Sequence, residues 1–551
     1  MTIQIKGIYN AMYLNIMSEI MRELKLPQLI DKSVPVAEQC KTRPSDIVSL
    51  VILDILSGRQ AIVNLEKWAT SIDLEKNIRP GLKPSELNDD AIGRHFDRLY
   101  DAGIHEIISS FLLQTYQHEK IPLNVFHGDT TSMSLYGAYE NPTDALQITY
   151  GYSRDRAGAK QIQFGLIGNK DGIPIYADVH DGNTSDKEWN PQVLEKLHSQ
   201  FQQVKLKDGF IYVADSAAFT QKTLCEVKRA KSHLISRGGS NLKIVKEALA
   251  QADEPTVIWS EPHQYTEKTG AIYQFFETSS TYYGHDVRLI VVQSSALDKK
   301  KENTLKRRCE AEKLRMEEMK KNYQKQLFHC LEDAEKAADS VTSSVKLDFH
   351  TFTTIVEKNS RPKVKRGRPK KDEMPEMETI YTVKIAYTYD QQRFDEMRRR
   401  ASRFVLITTL PKECNGKEMD AVTVLELYKG QINIEMNFSF LKDPVHVDEI
   451  YLKKPERVLV LGYILLLALV IYRVFQRRIR QKVTEEKPLR GAGGRILRKP
   501  TGQAIFEILK YIQVVVLELP DGSRQRQFGQ QLTYEQKRIL SDLGYNESIY
   551  L

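Results

Sequence analysis

Residues 121–137 read IPLNVFHGDTTSMSLYG, and the pattern of this 551-residue sequence changes there from helical to strand-like. The apolar start predicts a strand that ends in polar residues, among them Asp129. Residues 161–180, QIQFGLIGNKDGIPIYADVH, predict two strands joined by an Asp-Gly turn. A helix and a further strand, GFIYVAD (209–215), follow. Strand, hairpin, helix and strand in this order predict a mixed α/β core.

The rest of the chain divides around this core. Residues 1–118 carry apolar residues at helical spacing, which predicts an all-α N-terminal domain. Residues 119–230 and 386–475 are predicted to be the two parts of the core. Between them, residues 231–385 combine strand-like pieces with one long charge-rich helix and are predicted to be a β-rich insertion domain. Residues 476–551 form a basic C-terminal region.

Bulk composition limits the class of protein. Apolar residues make up 41% of the chain, which excludes a disordered protein, and the net charge of +8 leaves a polyanionic partner open. Five cysteines without a CxxC pair predict neither a zinc site nor a disulfide framework, and they suit a reducing cytoplasm. The N-terminus lacks the pattern of a signal peptide.

One apolar run, Val458–Tyr472, raises the question of a membrane span. As a helix it would extend ~22 Å, short of a ~30 Å hydrocarbon core. Arg457 and Arg473 bracket it. We therefore predict a buried core helix and no membrane partner.

Three acids occupy settings that are unusual for a solvated surface. Asp129 and Asp215 end apolar strands, where the active sites of α/β folds gather, and Glu435 lies in the apolar stretch YKGQINIEMNFSFLK (428–442). For each aspartate the alternative is a local role, an Asx-turn at Asp129 or a helix cap at Asp215. If the acids converge, a divalent cation must offset their repulsion, and oxygen ligands alone favour Mg²⁺ or Mn²⁺.

The stretch 428–442 predicts a single helix with one polar stripe. At ~100° per residue, Tyr428, Gln431, Glu435 and Lys442 fall within ~60° of one another. The remaining circumference is apolar, which predicts a buried helix whose polar stripe faces a cleft. An acid for metal, with a hydroxyl and a base for phosphate, suits a phosphodiester substrate. The alternative is an ordinary amphipathic helix with a snorkelling lysine.

These residues resemble the Y-(2)-R-(3)-E-(6)-K signature of bacterial DDE insertion-sequence transposases. Tyr428, Glu435 and Lys442 are in register, while Gln431 stands at the arginine position. Other stretches are similar to the same family, namely HGDTTSMSLYG (127–137), GYSRDRAGAKQIQFGL (151–166), GIPIYADVHDGNTSD (172–186) and YVADSAAFT (212–220). LNDDAIGRHFDRLYDAG (87–103) resembles the helical domain that precedes the catalytic core in one branch of the family.

The resemblance implies a ribonuclease H-like core interrupted by an insertion domain. It implies that Asp129, Asp215 and Glu435 are the catalytic metal ligands, holding two Mg²⁺ or Mn²⁺ ions for phosphoryl transfer. The implied partners are double-stranded DNA, as element terminal inverted repeats and as target, and a second copy of the chain in a homodimer. The implied location is the bacterial cytoplasm, at the nucleoid.

The expected activity is cut-and-paste transposition, in which the enzyme cleaves element ends and joins them to target DNA. Tyr428, Gln431 and Lys442 are expected to contact the DNA, the contact at Gln431 more weakly because an arginine would carry a fixed charge. One alternative is a metal-dependent nuclease of the same fold without strand transfer. Another is a domesticated DNA-binding protein with reduced catalysis.

Three further segments could contact nucleic acid. In KNSRPKVKRGRPKK (358–371), the RGRP core resembles an AT-hook, in which Arg366 and Arg368 would enter the minor groove of A·T-rich DNA. The alternative is a solvated basic linker. RRIRQK (477–482) and RGAGGRILRK (490–499) are either phosphate-facing or solvated.

Overall fold

The computed structural model describes residues 3–139, 145–151, 158–203, 209–264, 270–297, 299–363, 374, 376–414, 416–443 and 452–551. The chain separates into two compact units. The first contains Met1–Gly239, Thr281–Val287 and Ile407–Leu551, and the second contains Ser240–Ser280 and Arg288–Leu406. The finer, five-part division drawn from the sequence stays a prediction.

The described part of the chain contains both helices and strands, as expected for a mixed α/β protein. The helices are α1 (Leu14–Glu23), α2 (Leu26–Ser33), α3 (Pro44–Gly58), α4 (Leu65–Ala69), α5 (Leu74–Asn77), α6 (Asp89–Asp101), α7 (Ile104–His118), α8 (Asp186–Gln203), α9 (Gln221–Arg229), α10 (Lys243–Gln251), α11 (Lys299–Lys325), α12 (Leu331–Ser344), α13 (Gln391–Ala401), α14 (Ala421–Lys429), α15 (Ile432–Leu441), α16 (Pro455–Arg480), α17 (Gly502–Leu509) and α18 (Tyr534–Asp542).

The described strands are between two and thirteen residues long. They are β1 (Gln4–Asn10), β2 (Val125–Ser134), β3 (Thr149–Tyr150), β4 (Lys160–Gly168), β5 (Pro174–Asp181), β6 (Ile211–Ala214), β7 (His233–Arg237), β8 (His263–Gln264), β9 (Ile272–Tyr282), β10 (His285–Ser294), β11 (His350–Pro362), β12 (Met377–Tyr389), β13 (Arg403–Thr408), β14 (Glu413–Cys414), β15 (Lys417–Glu418), β16 (Leu489–Arg490), β17 (Ile496–Leu497), β18 (Gln513–Glu518) and β19 (Arg524–Phe528).

The main sheet of the first unit is mixed. Its order is β5-β4-β2-β6-β7, with the short β3 also beside β4. β4 runs antiparallel to both β2 and β5, whereas β2, β6 and β7 are parallel to one another. The predicted hairpin is confirmed, because β4 and β5 are joined by a turn in which Gly172 adopts a φ of +79°. β4 and β5 are almost wholly buried.

Helix α16 is the central packing element of the first unit. It contacts α1, α3, α6, α7, α15, α17 and β5. Among the described residues it is the one helix long and apolar enough to cross a membrane by length and composition, yet 94% of its most apolar stretch is buried within the protein. The prediction of a buried core helix around Val458–Tyr472 is therefore confirmed.

The N-terminal region is not all-α, and that prediction is corrected. Strand β1 pairs antiparallel with β18, which in turn pairs with β19, so the two ends of the chain build one three-stranded sheet. The residues of β1 are largely exposed, and the strand obtains its backbone partners from a hairpin some 500 residues later in the sequence. Local sequence patterns do not predict pairing between strands that are so far apart in the sequence.

The second unit contains the strand order β13-β10-β9-β8 and a separate long hairpin, β11–β12. Helices α11 and α12 pack on that hairpin through buried residues that include Met316, Val341, Val383 and Ile385. The single charge-rich helix predicted here is in fact two. The chain leaves α11 so that the backbone of Phe328 can exchange two hydrogen bonds with Tyr381 of β12, at 2.9 and 2.8 Å. Arg366 and Arg368 lie outside the described residues.

Two arginines of the basic run RRIRQK, at the end of α16, are structural, which corrects for them the expectation that the run faces phosphate or solvent. Arg477 donates to Asp171 at 3.1 Å, and Arg478 donates to Glu119 at 2.7 Å and to Glu23 at 2.6 Å. The side chains of Arg477 and Arg478 are only 13% and 14% exposed. These five residues, which we call the arginine cluster, tie α16 to the N-terminal helices and to the β4–β5 turn.

Candidate active site

The sheet register places Asp129 and Asp215 side by side. Gly128 of β2 is opposite Ala214 of the parallel strand β6, so the two aspartates follow at the same level on neighbouring strands. β6 ends at this point, and β2 continues beside β4. Asp215 directly follows the last residue of its strand, as predicted, whereas Asp129 lies in the middle of β2 (Val125–Ser134), which corrects the prediction that it ends an apolar strand.

Asp215 has the local role that the sequence left open, whereas Asp129 does not. Asp129 lies within a strand and bonds the N–H of the next residue, and an Asx-turn would use the N–H two residues on. Asp129 Oδ1 accepts a hydrogen bond from the backbone N–H of Thr130 at 2.9 Å. Asp215 caps the short 3₁₀ helix Ser216–Ala218, accepting from the N–H of Ala217 at 2.9 Å. Each contact fixes the direction of a carboxylate and leaves oxygen lone pairs for a further ligand.

Electrostatics join Glu435 to this pair. Burial raises the pKa of Asp129 to about 7, and the N–H of Thr130 opposes the rise. The negative charges of Asp215, Asp186 and Glu435 raise that pKa further. The three predicted acids therefore share one neighbourhood, together with a fourth acid. We call Asp129, Asp186, Asp215 and Glu435 the acid cluster.

Asp186 is an acid that sequence reasoning missed. It is the first residue of α8, and its Oδ1 accepts a short hydrogen bond from the hydroxyl of Thr130, next to Asp129. The stretch GIPIYADVHDGNTSD ends at Asp186, so a signal was present. It pointed to the family and did not single out this carboxylate.

The segment 428–442 is two helices, which corrects the single helix predicted. α14 ends at Lys429 and α15 begins at Ile432. The cause is His127 of β2, whose Nε2 donates to the carbonyl of Leu427 at 2.8 Å. A Cβ at position 430 would lie 2.5 Å from that nitrogen, so only glycine allows the backbone to come this close to His127.

The exposure of this segment also differs from the expectation of a buried helix. Ile432 and Met436 are 60% and 46% exposed, and the Glu435 side chain is exposed as well. Gln431, in contrast, is 8% exposed. The predicted polar stripe is therefore broken: Glu435 and Lys442 are open to solvent, Tyr428 is half-buried and Gln431 is buried.

The opposite face of α15 is anchored to the β4–β5 turn. The Asn433 side chain donates to the carbonyl of Lys170 at 2.6 Å, and Asn437 donates to that of Gly172 at 2.8 Å. The buried guanidinium of Arg473 on α16 donates to Asn437 Oδ1 at 2.6 Å. These contacts fix the helix with Glu435 on its outward side.

Arg237 is a second residue that sequence reasoning missed. It follows Ser236, which pairs with Ala214, so it stands at the carboxyl end of β7 beside Asp215. Burial raises the pKa of the Tyr428 hydroxyl, and Arg237, which hydrogen-bonds that hydroxyl, opposes the rise. Asp215 and Glu435 raise the same pKa, so Tyr428 lies between the acid cluster and Arg237.

The acid cluster suits a hard divalent cation in its chemistry. Its donors are carboxylates, and the negative charges of the neighbouring acids, which add to the effect of burial on the pKa of Asp129, would be neutralised by a cation. In the described part of the chain, however, no three His, Cys, Asp or Glu side chains are drawn close enough to hold a metal ion. The residues that would bind Mg²⁺ or Mn²⁺ are thus neighbours, but their carboxylates are not close enough together to form a coordination shell.

Comparison with known proteins gives a family match. A model described as a transposase DDE domain matches residues 147–471, and a domain of unknown function, DUF4277, matches residues 4–113. No curated protein gives a significant match.

Two solved structures show weak likeness. The chain is similar to a piggyBac transposase synaptic complex with hairpin DNA at 9% identity and a TM-score of 0.40, over 90% of this chain and 78% of that one. It is similar to a Mos1 transposase paired-end complex with left transposon end at 12% identity and a TM-score of 0.15, over 36% of this chain and 60% of that one. Both scores are low, so the assignment rests on the sequence match. Because that match spans more than half of the sequence, the chain belongs to the transposase DDE domain family.

Proposed function

We propose that this transposase cleaves the ends of a mobile element and joins them to target DNA by phosphoryl transfer at the acid cluster. The observation that carries the proposal is that β2 and β6 bring Asp129 beside Asp215 while α15, which carries Glu435, contacts β2, across more than 300 residues of sequence. The strand order β5-β4-β2-β6-β7, with β4 antiparallel to its neighbours, supports a ribonuclease H-like core.

Asp129, Asp215 and Glu435 would hold two Mg²⁺ or Mn²⁺ ions, which supply Lewis-acid activation of the attacking oxygen and charge neutralisation at the leaving oxygen. The protein's own part is to hold the carboxylates. The β2–β6 register aligns the two aspartates, and the anchored face of α15 directs Glu435 outward. Asp129 must lose its proton when a cation binds, because its raised pKa leaves it partly protonated near neutral pH.

DNA would lie over the exposed side of α15. Lys442 follows that helix on the same open side as Glu435, and the hydroxyl of Tyr428 can donate to a phosphate oxygen. Two copies of the chain holding two element ends, in the bacterial cytoplasm, complete the proposal on family grounds. Minor-groove contacts by Arg366 and Arg368 stay a prediction.

The test is cleavage of DNA that carries the sequences flanking the gene. With Mg²⁺ or Mn²⁺ the wild type should cut and join, while Asp129→Asn, Asp215→Asn and Glu435→Gln should bind the DNA and lose cleavage by at least about a thousandfold. Glu426→Gln, an exposed glutamate on α14, is the matched control and should cleave normally. Near-normal cleavage by any of the three variants would remove that residue from the site. Cleavage without joined product would favour a nuclease.

A further inference from the structure

The signature that this chain resembles has an arginine where Gln431 stands, and the structure shows why an arginine there would be poorly used. Gln431 is 8% exposed and lies at the junction of α14 and α15. Its backbone N–H donates to the carbonyl of Tyr428 at 3.2 Å, and its own carbonyl accepts from Ile434 at 2.9 Å. The adjacent Gly430 is pressed against His127. The side chain of an arginine at position 431 would begin in a packed environment and not on the exposed side of α15 that carries Glu435.

Arg237, unlike the buried Gln431, lies on the exposed edge of the acid cluster. Its side chain is exposed, and it directly follows Ser236, the β7 residue opposite Ala214. The hydroxyl of Ser236 donates to the carbonyl oxygen of Asp215 at 2.6 Å, which locks the end of β7 to the residue that carries the second acid. Arg237 is therefore a cation held at the rim of the acid cluster by two parallel strands.

Arg237 is also tied to the signature segment. It reaches Tyr428, on the last turn of α14, although the two residues are 191 positions apart in the sequence. A guanidinium is charged at every accessible pH and presents donors that match two phosphate oxygens at once. A site built from four carboxylates needs such a fixed positive charge if it is to hold a polyanion.

We propose that Arg237 is the phosphate-binding arginine of this active site and takes the role that the signature assigns to position 431. The ligand is a phosphodiester of DNA next to the bond that is cut. This inference rests on the proposed function. A purely structural Arg237, which only steadies Asp215 and Tyr428, is the alternative, and it would make no contribution to the ionic-strength dependence of binding.

The experiment measures DNA affinity as a function of salt concentration, without divalent ions, and cleavage with Mg²⁺. Arg237→Gln should reduce the slope of log affinity against log salt by about one, and should lower cleavage about tenfold or more. Arg237→Lys should keep the slope and recover part of the cleavage, since it keeps the charge and loses the two-pronged geometry. The matched control is Arg229→Gln, a half-exposed arginine on α9 paired with Glu226, which should leave the slope and cleavage unchanged.

Gln431→Arg provides the opposite test. We expect no increase in slope and no gain in cleavage, because position 431 is buried. An unchanged slope in Arg237→Gln, or a slope that increases by about one in Gln431→Arg, would overturn the inference. If the wild type fails to cut DNA under any of these conditions, the proposed function fails instead, while the salt slopes still report whether Arg237 binds phosphate.

Discussion

The arginine cluster and the acid cluster lie in the same unit and combine charged side chains in opposite ways. In the arginine cluster, Arg477 and Arg478 each meet carboxylates within hydrogen-bond distance, and Glu119 is only 6% exposed between them. In the acid cluster, burial raises the pKa of Asp129 to about 7, and the negative charges of three further acids add to the rise.

This difference in charge pairing indicates that the two clusters have different roles. Opposite charges that meet in good geometry hold elements together, and removing one partner is costly. Like charges brought together destabilise the folded protein, so a protein that keeps them uses them for something other than stability. Two arginines of the basic run are structural, and the helix that was predicted to be buried carries Glu435 on an exposed side.

The largest expected effect breaks the arginine cluster. Glu119→Gln leaves two nearly buried guanidinium groups with less compensation, so the free energy of unfolding should fall by about 3–5 kcal/mol in a denaturant titration. Glu547→Gln is the matched control, because its pair with Lys537 is exposed, and it should cost under about 1 kcal/mol. A loss at Glu119 as small as that at Glu547 would mean that the arginine cluster is not structural.

The next effect concerns the contacts that anchor α15, the helix of Glu435. Asn437 is bonded to Arg473 of α16 and to the β4–β5 turn, and it lies on the same helix as Glu435. Asn437→Ala should lower the free energy of unfolding by about 2 kcal/mol, because it strands a buried guanidinium, and should lower cleavage about tenfold by loosening Glu435. Ser439→Ala, on the exposed side of α15, should do neither. Full cleavage by Asn437→Ala would show that the contacts of Asn437 are not needed to position Glu435 for catalysis.

A third test uses pH to expose the strain in the acid cluster. The folded protein holds the Asp129 proton to about pH 7, whereas the unfolded chain releases it near 3.8, so this residue's contribution to stability is full below about pH 4 and is lost as pH rises through 7. Asp129→Asn, measured with a chelator present, should therefore stabilise the protein at pH 8 by up to about 2 kcal/mol, allowing for solvent screening. A variant that is destabilised at pH 8 would show that the carboxylate is compensated by an unrecognised partner.

The smallest effect ranks the neighbours of Asp129. Removing one negative charge should lower the pH at which this stability is lost, most for Asp215→Asn, less for Asp186→Asn and least for Glu435→Gln. Each change should amount to less than about 1 kcal/mol. Chelator-treated protein unfolded across pH 4–9 gives the three midpoints, and a reversed order would contradict the arrangement of the cluster.

Local pattern was enough to predict much of the fold. The strand around Asp129, the hairpin with its Asp-Gly turn, and the buried helix around Val458–Tyr472 all follow from hydrophobic periodicity and turn chemistry, which act over a few residues. The same reasoning placed Asp215 at a strand end, but it did not predict that Asp129 lies within a longer strand, next to Asp215 on the parallel neighbour.

What local pattern could not predict depends on distant partners. The break at Gly430 is imposed by His127, some 300 residues earlier, and the strand β1 is completed by β18. The role of Arg237 follows from the register of β6 and β7, which composition does not encode. Arg478 looked free because its partners, Glu23 and Glu119, are remote in the sequence.

The central claim is that Asp129, Asp215 and Glu435 converge on bound divalent ions. Replacing Mg²⁺ with Fe²⁺ and generating hydroxyl radicals cuts a polypeptide next to the bound metal, and mass spectrometry locates the cuts. We predict cuts near all three residues, suppressed by excess Mg²⁺ and lost in Asp129→Asn. Cuts that miss one of the three, or that persist unchanged in Asp129→Asn, would contradict a shared metal site.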